Sequence, residues 1–173
     1  MSAYIFVSYS RDDEQFVTPI VGILRAAIAG VPSATGKYWE FVFQDVDSIE
    51  PGGRWKDQID AAITRAERMF VFWCEHSSKS LQVEREYKFA LSLRKVVVPV
   101  LLDDTPLPNL LSPIERRDLR ELRTHGLQIR HVFPVPGQRN RHEVIVHAFA
   151  QTLEVDPQAM IANLFPSAFG PPV

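Results

Sequence analysis

The stretch Arg68-Met-Phe-Val-Phe-Trp-Cys74 decides how the chain folds. It is apolar from its second residue onward and contains three aromatic side chains. Such a run is typical of a central strand covered on both faces, as in a parallel sheet flanked by helices. We therefore expect a parallel sheet in the middle of the molecule.

Short β-rich segments and longer segments of helical periodicity alternate on either side of this stretch. The other strands are expected at residues 4–8, 40–43, 96–102 and 127–133. The helices are expected at residues 10–28, 55–66, 80–94, 113–122 and 142–153. This alternation indicates right-handed βαβ units, and so an α/β fold of the flavodoxin-like type. Its open five-stranded parallel sheet would have the order 2-1-3-4-5, with helices on both faces.

Two local signals refine this prediction. Ser10 is expected to cap the first helix, and Asp13, three residues later, would complete a capping box. Pro99 has no backbone N–H to give to a neighbouring strand. We therefore expect it at the start of the fourth strand or at a local break.

Composition limits the class of protein. The 173 residues, 46% of them hydrophobic and 23% charged, suit one globular domain with a tail. Residues 1–154 are expected to form the domain and 155–173 a proline-rich tail or linker, although the apolar side chains of that tail could dock on a surface or on a partner. The net charge of −2 gives no reason to expect nucleic acid or an anionic membrane as a partner.

The chain is expected to be cytoplasmic. It has one cysteine, Cys74, which excludes a disulfide within the chain and suits a reducing compartment. No apolar run approaches the roughly 20 residues of a membrane span, and no secretory signal is recognisable.

Seven arginines lie between residues 115 and 142, against three acidic residues. They are Arg116, Arg117, Arg120, Arg123, Arg130, Arg139 and Arg141. A solvated surface is the plainer interpretation, and a docking patch for an acidic partner or a phosphate is the alternative.

Common catalytic and metal-binding motifs are absent. His142 and His147 resemble a zincin pair but are five residues apart, which places them on different faces of a helix. Neither a glycine-rich phosphate loop nor a G-x-S-x-G elbow occurs. Cys74 ends a buried strand, where cysteine is more often a small core residue than a nucleophile. We expect neither a metal site nor a bound cofactor.

One acidic residue lies on the inward face of a predicted helix. With Val83 at zero and about 100° per residue, Glu86 falls at about 300°, between Leu93 and Ala90 on the apolar arc. Burying a carboxylate costs several kcal/mol unless the group is paired. Glu86 is therefore either satisfied structurally or used in function.

Several short motifs, taken in order, resemble the TIR domain family, especially its bacterial members. The matching segments are Ile5-Phe-Val-Ser-Tyr-Ser10, Gln44-Asp45 through Pro51-Gly-Gly-Arg-Trp55, Ser80-Leu-Gln-Val-Glu-Arg-Glu86 and Val98-Pro-Val-Leu-Leu-Asp103. Each motif is weak alone, whereas their order and spacing are fairly specific. The resemblance covers about residues 4–153.

The resemblance implies an enzyme that cleaves NAD+ at the bond between nicotinamide and ribose, with Glu86 as the catalytic residue. It implies NAD+ as substrate rather than cofactor, and a hydrolase or cyclase acting in bacterial immunity or signalling. Substrate contacts are expected from Tyr9, Ser10, Arg11, Asp45, Trp55 and Gln82. Gln82 departs from the family pattern, because many members carry Trp at that position.

The loop after the second strand corresponds to the BB loop of TIR domains. Its expected interface residues are Asp47, Ile49, Pro51, Gly52, Gly53 and Arg54. The resemblance implies that other TIR domains are partners and that self-association through this loop activates the enzyme. The alternative is a non-catalytic adaptor, and a virulence protein that engages host TIR domains is a further possibility.

Overall fold

A five-stranded parallel sheet lies at the centre of the computed structural model, which describes residues 1–43, 55–124 and 141–165. The strands are β1 (Ser2–Ser8), β2 (Tyr38–Phe43), β3 (Arg68–Trp73), β4 (Val96–Leu101) and β5 (Arg117–Asp118). Their order is β2-β1-β3-β4-β5, so the predicted flavodoxin-like order is confirmed. All four strand pairs are parallel.

Seven helices flank the sheet in the described part of the chain. They are α1 (Glu14–Ile28), α2 (Trp55–Arg65), α3 (Glu75–Ser78), α4 (Leu81–Ser92), α5 (Arg120–Thr124), α6 (Arg141–Leu153) and α7 (Pro157–Leu164). A 3₁₀ turn, Arg11–Asp13, precedes α1. None of these described helices combines the length and the apolar character that a membrane crossing requires.

Strand β3 divides the core into two layers. Phe70 and Phe72 point to one face, where they pack with buried residues of α1 and α6. Met69, Val71 and Trp73 point to the other face, towards α2 and α4. Because alternate side chains of a strand face opposite ways, an unbroken apolar run is what two covered faces require. The interpretation of β3 as the central, doubly covered strand is confirmed.

The expectation for Pro99 is wrong, because it lies inside β4 and pairs in register with Val71. Leu102 N donates to Trp73 O, whereas Leu101 O accepts from Leu119 N on the opposite side. Backbone groups alternate between the two sides of a strand, so the nitrogen of Pro99 faces the β5 side. On that side β5 pairs only with Val100 and Leu101, so the absence of a backbone N–H at Pro99 removes no hydrogen bond between the strands.

The fifth strand also differs from the prediction. It is Arg117–Asp118, within the segment 113–122 that was predicted to be helical, and α5 begins only at Arg120. Leu119 and Leu122 are both buried, and their spacing of three residues is also typical of one face of a helix. The residues just before Leu119 are nevertheless extended, because they pair with the edge of β4. Residues 127–133, where the strand was expected, lie outside the described residues.

The expected tail contains an ordered helix. Asp156 caps α7 by accepting from Gln158 N at 3.1 Å, and Pro157 occupies its first turn. Met160 is fully buried in the α1–α6 layer. Asn163 Nδ2 donates to Ala27 O and Ala29 O at the end of α1, at 2.9 and 3.0 Å. Over residues 157–164, apolar side chains of this segment pack on the domain, which was the alternative expected for it.

Candidate functional site

Helix α4 carries the buried acid at the centre of the site. Ser80 starts the helix by accepting a hydrogen bond from Val83 N at 3.2 Å. The inward face then presents Val83, Glu86, Tyr87 and Ala90, all of them buried. Glu86 is 0% exposed, so its predicted inward position is confirmed. Leu93, expected on the same face, is exposed because the helix ends at Ser92.

Among the described residues, the carboxyl group of Glu86 is incompletely hydrogen-bonded. Ser8 Oγ donates to its Oε1 at 3.4 Å. Oε2 has no hydrogen-bond partner among the described residues, and neither has Nε2 of Gln82, one helical turn earlier. These buried polar atoms lie on the same side of α4, since residues four apart share a helix face. They form a small polar surface inside an otherwise apolar layer.

Burial controls the protonation of Glu86. Removing the carboxyl group from water raises its pKa from 4.5 to about 8. The nearby dipoles of Ser8 and Gln82, and then the charge of Arg85, act in the opposite direction and lower the pKa by less. The side chain is therefore mostly neutral at pH 7.

The topology brings Ser8 to this acid. Ser8 is the last residue of β1, and β1 lies between β2 and β3 in the sheet. From β1 the chain goes first to one neighbour and then to the other, so the carboxyl end of β1 is the switch point of the sheet. Ligands of open α/β sheets bind at such points. Glu86 lies against the position where a ligand is expected on general grounds.

Three of the predicted substrate contacts follow Ser8 directly. Tyr9 is half-buried against the α1 layer, Ser10 is buried and Arg11 is exposed. Ser10 Oγ accepts from Asp12 N at 3.4 Å, so it caps the 3₁₀ turn rather than α1 itself. The predicted capping box does not form, because Asp13 N donates to Ser10 O at 2.9 Å and the Ser10 hydroxyl accepts from Asp12 N instead. The carboxylate of Asp13 contacts groups at the end of β3.

The remaining predicted contacts have different outcomes. Gln82 lies beside Glu86, as expected from the helix periodicity. Trp55 begins α2 and is 45% exposed. Trp73, which was not among the predicted contacts, is a buried core residue at the end of β3 and donates from Nε1 to Pro106 O at 3.0 Å. Asp45, Asp47, Ile49, Pro51, Gly52, Gly53 and Arg54 lie outside the described residues, and their roles stay predictions.

The arginine-rich segment is largely engaged within the domain where it is described. Arg117 donates from Nε to Thr152 Oγ1 at 2.7 Å and pairs with Glu115. Arg120 pairs with Asp118 and Asp104, both at 2.7 Å. These contacts favour the plainer interpretation for this part of the segment.

Two contacts at the carboxyl edge of the sheet were missed from the sequence. One is Ser8 as the partner of Glu86. The other is a contact between Asp13, Cys74 and His76, in which the Cys74 thiol donates to Asp13 Oδ2 at 2.7 Å and Asp13 Oδ1 lies 2.9 Å from His76 Nδ1. The predicted strand order could have indicated both contacts. In that order β1 and β3 are neighbours, and Ser8, Asp13, Cys74 and His76 lie at or follow the carboxyl ends of these two strands.

Comparison with known proteins identifies the family. The crystallised TIR domain of the Toll-related receptor TRR-2 from Hydra magnipapillata is similar, with a TM-score of 0.54, 18% identity and coverage of 68% of this chain and 84% of that one. A 2-desoxiribosyltransferase from Leishmania mexicana has a TM-score of 0.47 at 11% identity over 60% of this chain and 67% of that one, too low to bear on function. No curated protein matches significantly. The family model of the TIR domain matches residues 5–131, and the chain therefore belongs to the TIR domain family.

Proposed function

We propose that this TIR domain cleaves NAD+ between nicotinamide and ribose, with Glu86 as its catalytic residue. One observation carries the proposal: Glu86 is a wholly buried carboxyl group at the switch point of the sheet, with one oxygen lacking a described partner. An acid used only structurally would be expected to have both oxygens satisfied. A buried acid with an oxygen that has no partner among the described residues, at the edge of the sheet where ligands of such folds bind, is better explained by a role towards a ligand.

The chemistry requires little more than this carboxylate. Nicotinamide leaves a cationic ring as a neutral molecule, so no general acid is needed to protonate it. Positive charge develops on the ribose, as in glycoside hydrolysis. A fixed carboxylate stabilises that charge electrostatically and can accept hydrogen bonds from the ribose hydroxyls. Attack by water then gives ADP-ribose, whereas an internal nucleophile would give a cyclic product.

The protonation of Glu86 suggests how the activity is controlled. A neutral acid cannot stabilise a cation, and the pKa of about 8 keeps Glu86 largely neutral at pH 7. The positive nicotinamide ring of bound NAD+ would lower that pKa and favour the carboxylate. In this proposal, self-association through the BB loop helps the substrate to occupy the site, and the product serves bacterial defence or signalling.

The direct test is an assay with matched variants. The purified chain is incubated with NAD+ under crowding conditions that promote assembly, and products are separated by chromatography and identified by mass spectrometry. Glu86→Gln should lower the rate at least about 100-fold, the scale expected for a lost electrostatic stabiliser. Glu84→Gln is the control, because Glu84 lies on the same helix but pairs with Lys88 near the surface. Equal rates for the wild type and Glu86→Gln would contradict the proposal.

A non-catalytic adaptor is the second candidate, and two observations favour it. Gln82 occupies a position where an aromatic ring could cover nicotinamide, and Glu86 has no exposed surface. An adaptor should bind other TIR domains with unchanged affinity in Glu86→Gln, and wild-type chain should leave NAD+ intact. Pull-down with host TIR domains would distinguish a host-directed virulence protein from an adaptor that only self-associates.

A further inference from the structure

Two βα turns meet at the carboxyl edge of the sheet, away from the acid on α4. Asp13 ends the 3₁₀ turn after β1, Cys74 follows β3 directly, and His76 lies on α3. A carboxylate oxygen, the sulfur and an imidazole nitrogen of these residues all lie within 4.8 Å of one another. Asp13 and Cys74 are buried, whereas 43% of the His76 side chain is exposed.

We propose that Asp13, Cys74 and His76 form a binding site for a divalent transition-metal ion of the Zn2+ class. A thiolate and an imidazole are the donors that such ions prefer, and a carboxylate commonly accompanies them. Mg2+ and Ca2+ prefer sets made only of oxygen ligands, so this set discriminates against them. The site is separate from Glu86 and does not depend on the NAD+ proposal.

The ligand atoms would have to move by about 1 Å to receive the ion, because they lie between 2.7 Å and at most 4.8 Å apart. Ligands in a tetrahedral zinc site lie about 3.3–3.8 Å apart, as follows from bonds of about 2.0–2.3 Å. Cys74 Sγ and Asp13 Oδ2 are 2.7 Å apart and would separate by about 1 Å once the shared proton leaves. The exposed ring of His76 gives the ion a path from solvent to the two buried ligands. Three protein ligands leave one coordination position open to water.

The proton balance follows from the present hydrogen bonds. The thiol of Cys74 is protonated, and burial together with Asp13 raises its pKa. The metal binds the thiolate, so Cys74 releases one proton to the buffer. Neutral His76, whose Nδ1 now donates to the Asp13 carboxylate, binds the metal through Nδ1 once its ring proton has moved to Nε2, and Asp13 binds as the carboxylate. With His76 neutral, binding thus exchanges one metal ion for one proton.

A bound ion would join the turn after β1 to the turn after β3. The first of these turns holds Tyr9, Ser10 and Arg11, directly after Ser8. Metal binding would therefore stabilise the packing of both turns, whatever reaction the neighbouring acid performs. Since the unfolded chain does not hold these ligands together, bound metal should also raise the melting temperature.

Co2+ and Zn2+ are the probes for the test. The 173-residue chain is freed of metal with a chelator and titrated with Co2+, and a thiolate-to-cobalt charge-transfer band is followed. Because Cys74 is the only thiol in the sequence, such a band can arise only there. Calorimetric titration with Zn2+ in two buffers of different ionisation enthalpy should give one ion per chain and about one proton released.

Variants decide which residues hold the ion. His76→Gln and Cys74→Ser should each weaken Zn2+ binding at least tenfold, and Cys74→Ser should also abolish the cobalt band. His147→Gln is the control, because it removes an exposed imidazole from α6. Circular dichroism of the metal-free chains confirms that each variant is folded, and His76→Gln is the safest because its side chain is exposed. Absence of the band, or equal Zn2+ affinity in wild type and His76→Gln, would overturn the proposal.

Discussion

Ser8 and Glu86 are 78 residues apart in sequence, yet the Ser8 hydroxyl donates to the Glu86 carboxyl group at 3.4 Å in the buried interior. The contact joins the end of β1 to the inward face of α4 and locates the acid at the switch point of the sheet. This one bond offsets only part of the cost of burying the carboxyl group, since net hydrogen-bond contributions are about 1 kcal/mol. The stability of the protein and the protonation of its candidate site are therefore linked through Glu86.

The first prediction concerns stability against pH. The pKa of Glu86 is raised from 4.5 to about 8, so the native state holds this proton more tightly than the unfolded chain does. The stabilising contribution of Glu86 to the free energy of unfolding is therefore fully present below pH 4.5. It is progressively lost as the pH rises from 4.5 to 8. Glu86→Gln should be more stable than wild type at pH 8, by an amount on the order of several kcal/mol, and nearly equal at pH 4.

Urea denaturation at several pH values measures this difference. Glu84→Gln supplies the comparison, because Glu84 is paired with Lys88 and is not fully buried. If the stability difference between wild type and Glu86→Gln stayed constant from pH 4 to pH 8, Glu86 would not have the raised pKa.

The second prediction concerns Ser8 and rests on the proposed NAD+ cleavage. The Ser8 hydroxyl lowers the pKa of Glu86 by donating to its ionised form. Ser8→Ala should therefore raise that pKa further and move the rising limb of kcat/KM to higher pH. Rates measured from pH 5 to 10 test this, and carbon NMR of the carboxyl group reports the pKa without activity. Ser92→Ala, at the exposed end of α4, is the control and should change neither the pH profile of kcat/KM nor the pKa of Glu86. If the Glu86 carboxyl group titrated at the same pH in Ser8→Ala as in wild type, Ser8 would not lower its pKa.

The third prediction concerns Cys74. Its thiol is 0% exposed, and burial, together with the adjacent Asp13, raises its pKa. Because the thiolate is the reactive form, metal-free native chain should react with iodoacetamide at least about 100-fold more slowly than chain unfolded in urea. Mass spectrometry of timed samples gives both rates. A native rate close to the unfolded one would mean that the β3 end opens readily.

The fourth prediction concerns the docking of α7. Met160 fills the layer between α1 and α6, so Met160→Ala should lower the free energy of unfolding by about 2–5 kcal/mol. Asn163→Ala removes two bonds to the end of α1 and should cost about 1–3 kcal/mol. Gln158→Ala, exposed on the same helix, should have little effect. Urea denaturation measures all three, and a chain ending at residue 154 with wild-type stability would contradict this docking.

The sequence by itself determined the features that depend on local periodicity. The apolar run of β3 predicted a doubly covered strand, and the alternation of strands and helices predicted the parallel sheet and its order. Helical spacing was enough to turn Glu86 inward on α4, since residues about a turn apart share a face whatever surrounds them. The first and the last of these inferences need only the geometry of one strand or one helix, whereas the expected order of the sheet rests on the general rule for βαβ units.

Tertiary structure alone decided features that depend on which segments become neighbours. Pro99 is accommodated within β4 because its nitrogen faces the side where the short β5 requires no bond, and β5 itself exists through pairing with that edge. Ser8 meets Glu86, and Asp13 meets Cys74 and His76, because β1 and β3 end side by side. Periodicity tells which way a side chain points from its own element. What it meets there is determined by the order and register of strands that are distant in sequence, and these follow from the packing of the whole chain.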